Sequence, residues 1–133
     1  MRQRLPWPAA DFDRRARRTP DAVALHDGEF MLTYRELATA RDRLAVEIGR
    51  SRVPRGTLVG LRLGHGWLSV VGILGVRKHG CGYLPLDPRH PAARQHRLLR
   101  RAGVRHLLTE SPDGLALEHL PTLSGRPVRA PVR

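Results

Sequence analysis

The apolar positions along the chain recur with two periods and divide it into short elements. Asp11 to Arg18 places Phe12 and Ala16 one turn apart on one face, with Arg14, Arg15, Arg17 and Arg18 elsewhere, and predicts a short helix. Two apolar runs follow, Ala22–Leu25 and Phe30–Thr33, separated by His26-Asp27-Gly28-Glu29. An Asp-Gly pair between such runs predicts a β-hairpin. Thr33 and Glu36 have the Thr-x-x-Glu spacing of a capping box, so a helix opens at Tyr34. Leu37, Ala40, Leu44, Ala45 and Ile48 form its apolar stripe and leave Arg35, Arg41, Asp42 and Glu47 to water.

From Leu58 onward, strands and helices alternate. Leu58–Leu63 reads as a strand, Gly64-His65-Gly66 as a turn, and Trp67–Lys78 as a helix with Trp67, Val70, Val71 and Leu74 inward. The stretch Val76–Arg94, VRKHGCGYLPLDPRHPAAR, reads as a helix end, a turn, a short extended run and a new helix start. Gly80 and Gly82 bracket Cys81 where the helix must stop. Tyr83, Leu84, Pro85 and Leu86 run extended, because residues before proline avoid the helical region, and Pro88 follows Asp87. Pro91 suits the first residue of a helix running to Ala102, with Gln95, Leu98, Leu99 and Ala102 inward. Gly103 breaks it, and Val104–Thr109 is expected as the final strand.

These elements predict an α/β fold: a partial layered architecture with a small, mostly parallel sheet flanked by helices, plus an N-terminal β-hairpin. Residues 1–10 read as an irregular lead-in, 11–110 as the folded part, and 111–133 as a loosely ordered tail with a short turn near Leu115–Leu120. A sheet that ends at Thr109 is expected to leave an unpaired edge and apolar faces, and hence self-association.

Composition refines this picture. With 133 residues, 41% hydrophobic and 27% charged, the chain suits one globular domain. A net charge of +12 invites a nucleic-acid reading. However, of 24 basic residues only Lys78 is a lysine, and the arginines are scattered, with clusters only at Arg14–Arg18 and Arg94–Arg101. Nucleic acid is therefore a disfavoured partner. Cys81 is the only cysteine, which excludes an internal disulfide and a thiolate-built metal site. The N-terminal residues lack the apolar run of a secretory signal, and no stretch approaches membrane-spanning length, so no membrane partner and a cytoplasmic location are expected.

Candidate chemistry is sparse. Gly64-His65-Gly66, between a strand and a helix, resembles a phosphate-cradling position, but no Gly-rich nucleotide motif accompanies it, and a tight βα turn explains the glycines as well. The histidines His26, His65, His79, His90, His96, His106 and His119 form no helix-borne metal pair. Asp87, among prolines, is expected to bond its own backbone. No serine lies in a nucleophile elbow. No catalytic, cofactor-binding or metal-binding residue is assigned.

Two segments carry a resemblance. Leu32-Thr33-Tyr34-Arg35-Glu36-Leu37 resembles the first core motif of the adenylation domains of nonribosomal peptide synthetases. The residues Lys78, Gly80, Tyr83, Leu84, Pro85, Leu86, Asp87, Pro88, Pro91 and Arg94 are similar to their second. TPDAVAL, VGLRL and RHLLT fit in order and separation, over roughly Phe12 to Thr109. Arg77, His79 and His90 depart from the family's usual Leu, Ala and Tyr. The resemblance implies descent from enzymes that activate a carboxylic acid, usually an amino acid, with Mg-ATP and pass it to a carrier-protein thiol. It also implies that the matched motifs are scaffold. The family's phosphate loop, substrate pocket, ribose-binding Asp and catalytic Lys lie on segments these residues do not include. Lys78 matches the motif lysine and inherits no catalytic role. The expectation is a truncated adenylation segment, inactive and without cofactor alone. The alternatives are half of a split adenylating enzyme, completed by the remainder of the domain, and a docking or basic binding module for a carrier protein or synthetase partner, or for nucleic acid through the arginines.

Overall fold

A computed structural model describes residues 9–64, 66–112, 114–120 and 128–132. The element order is α1 (Ala9–Arg18), β1 (Val23–Asp27), β2 (Phe30–Thr33), α2 (Tyr34–Arg50), β3 (Leu58–Arg62), α3 (Trp67–Lys78), β4 (Gly82–Pro85), α4 (Ala92–Arg101), β5 (His106–Ser111), β6 (Gly114–His119) and β7 (Val128–Val132). The strands β1 and β2 form the expected hairpin, with Asp27 paired to Phe30 across a two-residue loop. The other five form a mixed sheet in the order β4-β3-β5-β6-β7. Both pairings of β3 are parallel, and those of β5 with β6 and β6 with β7 are antiparallel.

The helices start and stop where local chemistry directs. Glu36 N–H donates to Thr33 Oγ1 at 3.1 Å and Thr33 N–H to Glu36 Oε1 at 3.0 Å, completing the capping box of α2. At the end of α3, Gly80 takes φ +92°, Cys81 N–H donates to Val76 O at 3.1 Å, and Gly80 N–H to Arg77 O at 2.9 Å. That pair of bonds is a Schellman motif, with Cys81 and Val76 both in the core. The same pattern ends α4 at Gly103 and α2 at Arg52, which alone of the three lacks glycine and still takes φ +59°.

The crossovers place α3 and α4 on opposite faces of the sheet. A Cβ on Gly72 of α3 would meet Leu63 and Leu61, whereas one on Gly60 of β3 would meet Leu107, Leu99 and Val104 on the α4 side. The main core lies under α1, α2 and α3 and includes Phe12, Leu44, Ile48, Val59, Val76 and Leu108. The α4 side holds a smaller cluster of Leu86, Leu99, Val104 and Leu107.

Several expectations are corrected. Arg41 is buried, not wet: its guanidinium lies 5.1 Å from the Phe12 ring centre and pairs with Asp13 and with Asp42 at 2.9 Å. In α4 only Gln95 and Leu99 are buried, while Leu98 and Ala102 face out, because one helix on a small cluster buries a narrow stripe. Pro91 takes the N-cap, one position earlier than expected. The sheet does not end at Thr109: Gly114–His119 forms β6, covers the edge of β5 and buries Leu115, Ala116 and Leu117. Within the expected tail, residues 113, 121–127 and 133 lie outside the described residues, as do residues 1–8 of the lead-in.

Candidate functional site

Open α/β sheets bind ligands outside the carboxyl ends of the strands, where the strand order reverses. Here β3 leads through α3 to β4 on one side, and β4 returns through α4 to β5 on the other. The reversal lies between β3 and β5, and the groups at its carboxyl end are Arg62, Gly64, Gly66, Thr109 and Glu110. This is the turn that the sequence marks as a phosphate-cradling position, although His65 itself lies outside the described residues.

The chain's own carboxylates occupy that position. Gly64 N–H donates to Glu110 Oε1 at 2.8 Å, and Trp67 N–H at the start of α3 donates to Asp27 Oδ2 at 3.2 Å. Gly66, at φ +123°, lies so close to Asp27 that an added Cβ would meet Oδ2 at 2.7 Å. A helix N-terminus attracts negative charge, and here Asp27 supplies it from the hairpin. Phe30 of the same hairpin packs on Trp67, with ring centres 5.7 Å apart. The hydroxyl of Thr109 is buried with no hydrogen-bond partner among the described residues.

The motif residues fall into two separate places. Leu32, Thr33, Tyr34, Glu36 and Leu37 open α2; Tyr34 packs 5.8 Å from the Phe12 ring, and Leu32 and Leu37 are buried. The second set runs from the end of α3 to the first turn of α4. Lys78 Nζ donates to Asp42 Oδ1 at 2.5 Å and ties α3 to α2. Burial pushes the Asp42 carboxyl up, but the bonds from Lys78 and Arg41 outweigh it and hold the group below its ordinary value. Gly80 ends α3, and Tyr83, Leu84 and Pro85 lie in β4 beside β3. Leu86 is buried and its N–H donates to Leu61 O at 2.8 Å.

Asp87 closes its own turn, as its neighbours suggest. It accepts Arg89 N–H at 2.9 Å and the Arg89 side chain at 2.8 to 3.2 Å. The Arg89 side-chain hydrogen bonds hold its carboxyl well below the usual range, so it stays ionised and moves no proton near neutrality. Gln95, buried on α4, donates to Asp87 O at 3.2 Å and His90 O at 2.8 Å and fixes the turn that contains Pro88. Pro91 and Arg94 are exposed. His79 Nε2 lies 2.7 Å from Val53 O. Among the described residues, no group of three or more potential metal ligands occurs, and no helix is long and apolar enough to cross a membrane.

Sequence reasoning misses Asp27 and Glu110 as fillers of the turn, since they lie 40 and 46 residues from their partners. No local signal links them.

The fold defines the class, an α/β architecture with helices on both faces of a mixed sheet. Residues 12–131 match the AMP-binding enzyme family, and the chain belongs to that family. It is 45% identical over 95 residues to the phosphinothricin tripeptide synthetase PhsB of Streptomyces viridochromogenes, covering 71% of this chain and 8% of that protein. It is 37% identical over 99 residues to gramicidin S synthase 2 of Brevibacillus brevis, covering 74% and 2%. Among solved structures, the AMPPNP-bound form of the nonribosomal peptide synthetase FmoA3 superposes with a TM-score of 0.74 at 38% identity, over 77% of this chain and 11% of that one. The N-terminal subdomain of Klebsiella oxytoca NpsA, in complex with 3-hydroxyanthranilyl-AMSN, gives 0.73 at 27% identity, over 81% and 28%. The chain thus matches the N-terminal part of nonribosomal peptide synthetase adenylation domains and spans a small fraction of these relatives.

Proposed function

We propose that these 133 residues act as the opening scaffold of an adenylation domain and activate no acid by themselves. The observation that carries this reading is the turn at Gly64–Gly66, the one phosphate-cradling position read from the sequence. Its N–H groups at Gly64 and Trp67 already hold Glu110 and Asp27. Phosphoryl chemistry depends on positioned donors and cations around the phosphates, and none converges among the described residues. The chain then binds no Mg-ATP alone. Its location is cytoplasmic on this reading.

A second reading is that the chain completes a split adenylating enzyme. The hairpin favours it. Phe30 and Met31 are 47% and 53% exposed and Val23 is 46% exposed, on a two-stranded sheet with no further strand among the described residues. Two-stranded sheets are marginal by themselves and gain from a third strand or a packed helix. The partner is then the remainder of an adenylation domain, carrying a carrier protein or followed by one. Without it, the exposed apolar side chains of the hairpin drive self-association.

ATP–pyrophosphate exchange separates the readings. The chain alone is expected to give none, which exchange by the purified chain would overturn. Exchange that appears only on mixing with the product of an adjacent frame encoding the phosphate loop identifies a split enzyme. Continued silence with that product leaves the inactive scaffold as the reading.

A further inference from the structure

Helix α4 differs from the other helices in how its charges are met. In α1, Asp11 lies 3.5 Å from Arg14 and Asp13 pairs with Arg41; in α2, Glu47 lies 3.1 Å from Arg50; in α3, Lys78 meets Asp42. Helix α4 carries Arg94, Arg97, Arg100 and Arg101 and no acidic residue. None of the four has an ion-pair partner among the described residues, and nearby Asp87 is clasped by Arg89. Arg94 stands in the first turn, where the helix dipole is already positive, and Pro91 gives no side-chain cap. Arginines three and four positions apart also repel one another along the helix. The face is therefore an unneutralised positive surface, and bringing carboxylates to it relieves the strain.

It is not uniformly polar. Arg94, Arg97, Leu98 and Arg101 follow the i, i+3, i+4, i+7 spacing of one helix face, turned away from the buried Gln95 and Leu99. Leu98 is 40% exposed and lies one turn from both Arg94 and Arg101. An apolar side chain bordered by guanidinium groups has the anatomy of an interface centre with its polar rim.

We propose that the outer face of α4 docks an acidic protein surface that sets one apolar side chain against Leu98 and carboxylates against Arg94, Arg97 and Arg101. The planar guanidinium forks suit bidentate carboxylates. Leu98 favours a protein over a nucleic acid, since a phosphate backbone offers it no partner and α4 carries no Phe, Tyr or Trp on which a base would stack, its one ring, His96, falling outside the face formed by Arg94, Arg97, Leu98 and Arg101. The inference is independent of the adenylation reading, because it uses only the surface of one helix.

The test titrates the whole chain with three probes: a helical peptide of glutamate, alanine and leucine, the same peptide with alanine for its leucine, and a DNA duplex. The leucine peptide is expected to bind, more weakly as salt rises, and about tenfold more tightly than its leucine-free counterpart. Arg97→Glu with Arg101→Glu abolishes binding, and Leu98→Ser weakens it about tenfold. Both variants alter outward positions and retain cooperative melting; Leu98→Ala reads the same contact with a milder change. Three results overturn the proposal: no binding of the leucine peptide, equal binding of the two peptides, or DNA binding as tight as the leucine peptide and indifferent to Leu98→Ser.

Discussion

On one face of the five-stranded sheet, Leu44, Ile48, Val59, Leu74, Val76 and Leu108 meet in a core enclosed by α1, α2 and α3. On the other, Leu86, Leu99, Val104 and Leu107 meet beneath α4 alone. The first face is closed by side chains from both halves of the chain, from Phe12 to Leu117. The second is completed by polar bonds, in which Gln95 joins Asp87, His90 and, at 3.4 Å, the Arg62 side chain. The deep face sets the stability of the scaffold. The shallow one positions a turn and a basic helix.

Truncating each face tests this most strongly. Leu44→Ala is expected to cost about 2–5 kcal/mol, as for a fully enclosed leucine, and Leu99→Ala to fall at or below the low end of that range. Urea unfolding of the two variants decides it; equal losses would remove the distinction. The α2–α3 contact sharpens it further. A Cβ on Gly75 would meet Leu44 side-chain atoms at 2.6 to 3.0 Å, so Gly75→Ala is expected to cost about 1–3 kcal/mol through overpacking. In a Leu44→Ala background the same change finds room and costs less, a coupling that a double-mutant cycle measures.

The deep face was the more legible in the sequence, because its signals are local. Thr33 and Glu36 announce the start of α2, Gly80 the end of α3, and the spacing Leu37, Leu44, Ile48 the buried stripe. What escaped depends on distant partners. Arg41 reads as a surface charge until Phe12 and Asp13 arrive from α1 to cover its stem and meet its head. GLALEH reads as a turn-rich tail because strand identity at Gly114–His119 comes from pairing with β5, and β-preference is mostly a matter of context. At the phosphate-like turn, the glycines are legible and the carboxylates that fill it are not.

Helix ends give smaller effects that also divide the faces. Thr33→Ala breaks the capping box under the deep face and is expected to cost about 1 kcal/mol in thermal or urea unfolding. Arg52 ends the same helix at φ +59° in the place that Gly80 and Gly103 hold elsewhere. Relieving that left-handed residue with Arg52→Gly is expected to stabilise by about 0.5–1 kcal/mol, the steric gain exceeding the extra unfolded-state entropy. A loss of stability would show that the Arg52 side chain contributes more than its backbone strain removes.

The smallest effect is a pH dependence seated where β5 meets β6. His106 is buried directly opposite His119, with Nε2 3.0 Å from His119 Nδ1 and the rings 4.7 Å apart. Burial first, then the charges of His119 and Arg105, push the His106 pKa below its ordinary 6.5. Its folded form therefore binds a proton less readily than its unfolded form. The stability it contributes is fully present above pH 6.5 and is lost as pH falls toward the lowered folded value. Asp42 and Asp87 also have lowered values, but theirs act only below the ordinary 3.8, so the two windows separate. Urea midpoints at about pH 7.5 and pH 5 are expected to differ for the native chain and to converge in His106→Phe, which fills the site without titrating. An unchanged slope in that variant would place the dependence on other histidines, and the join between β5 and β6 would then be insensitive to protonation.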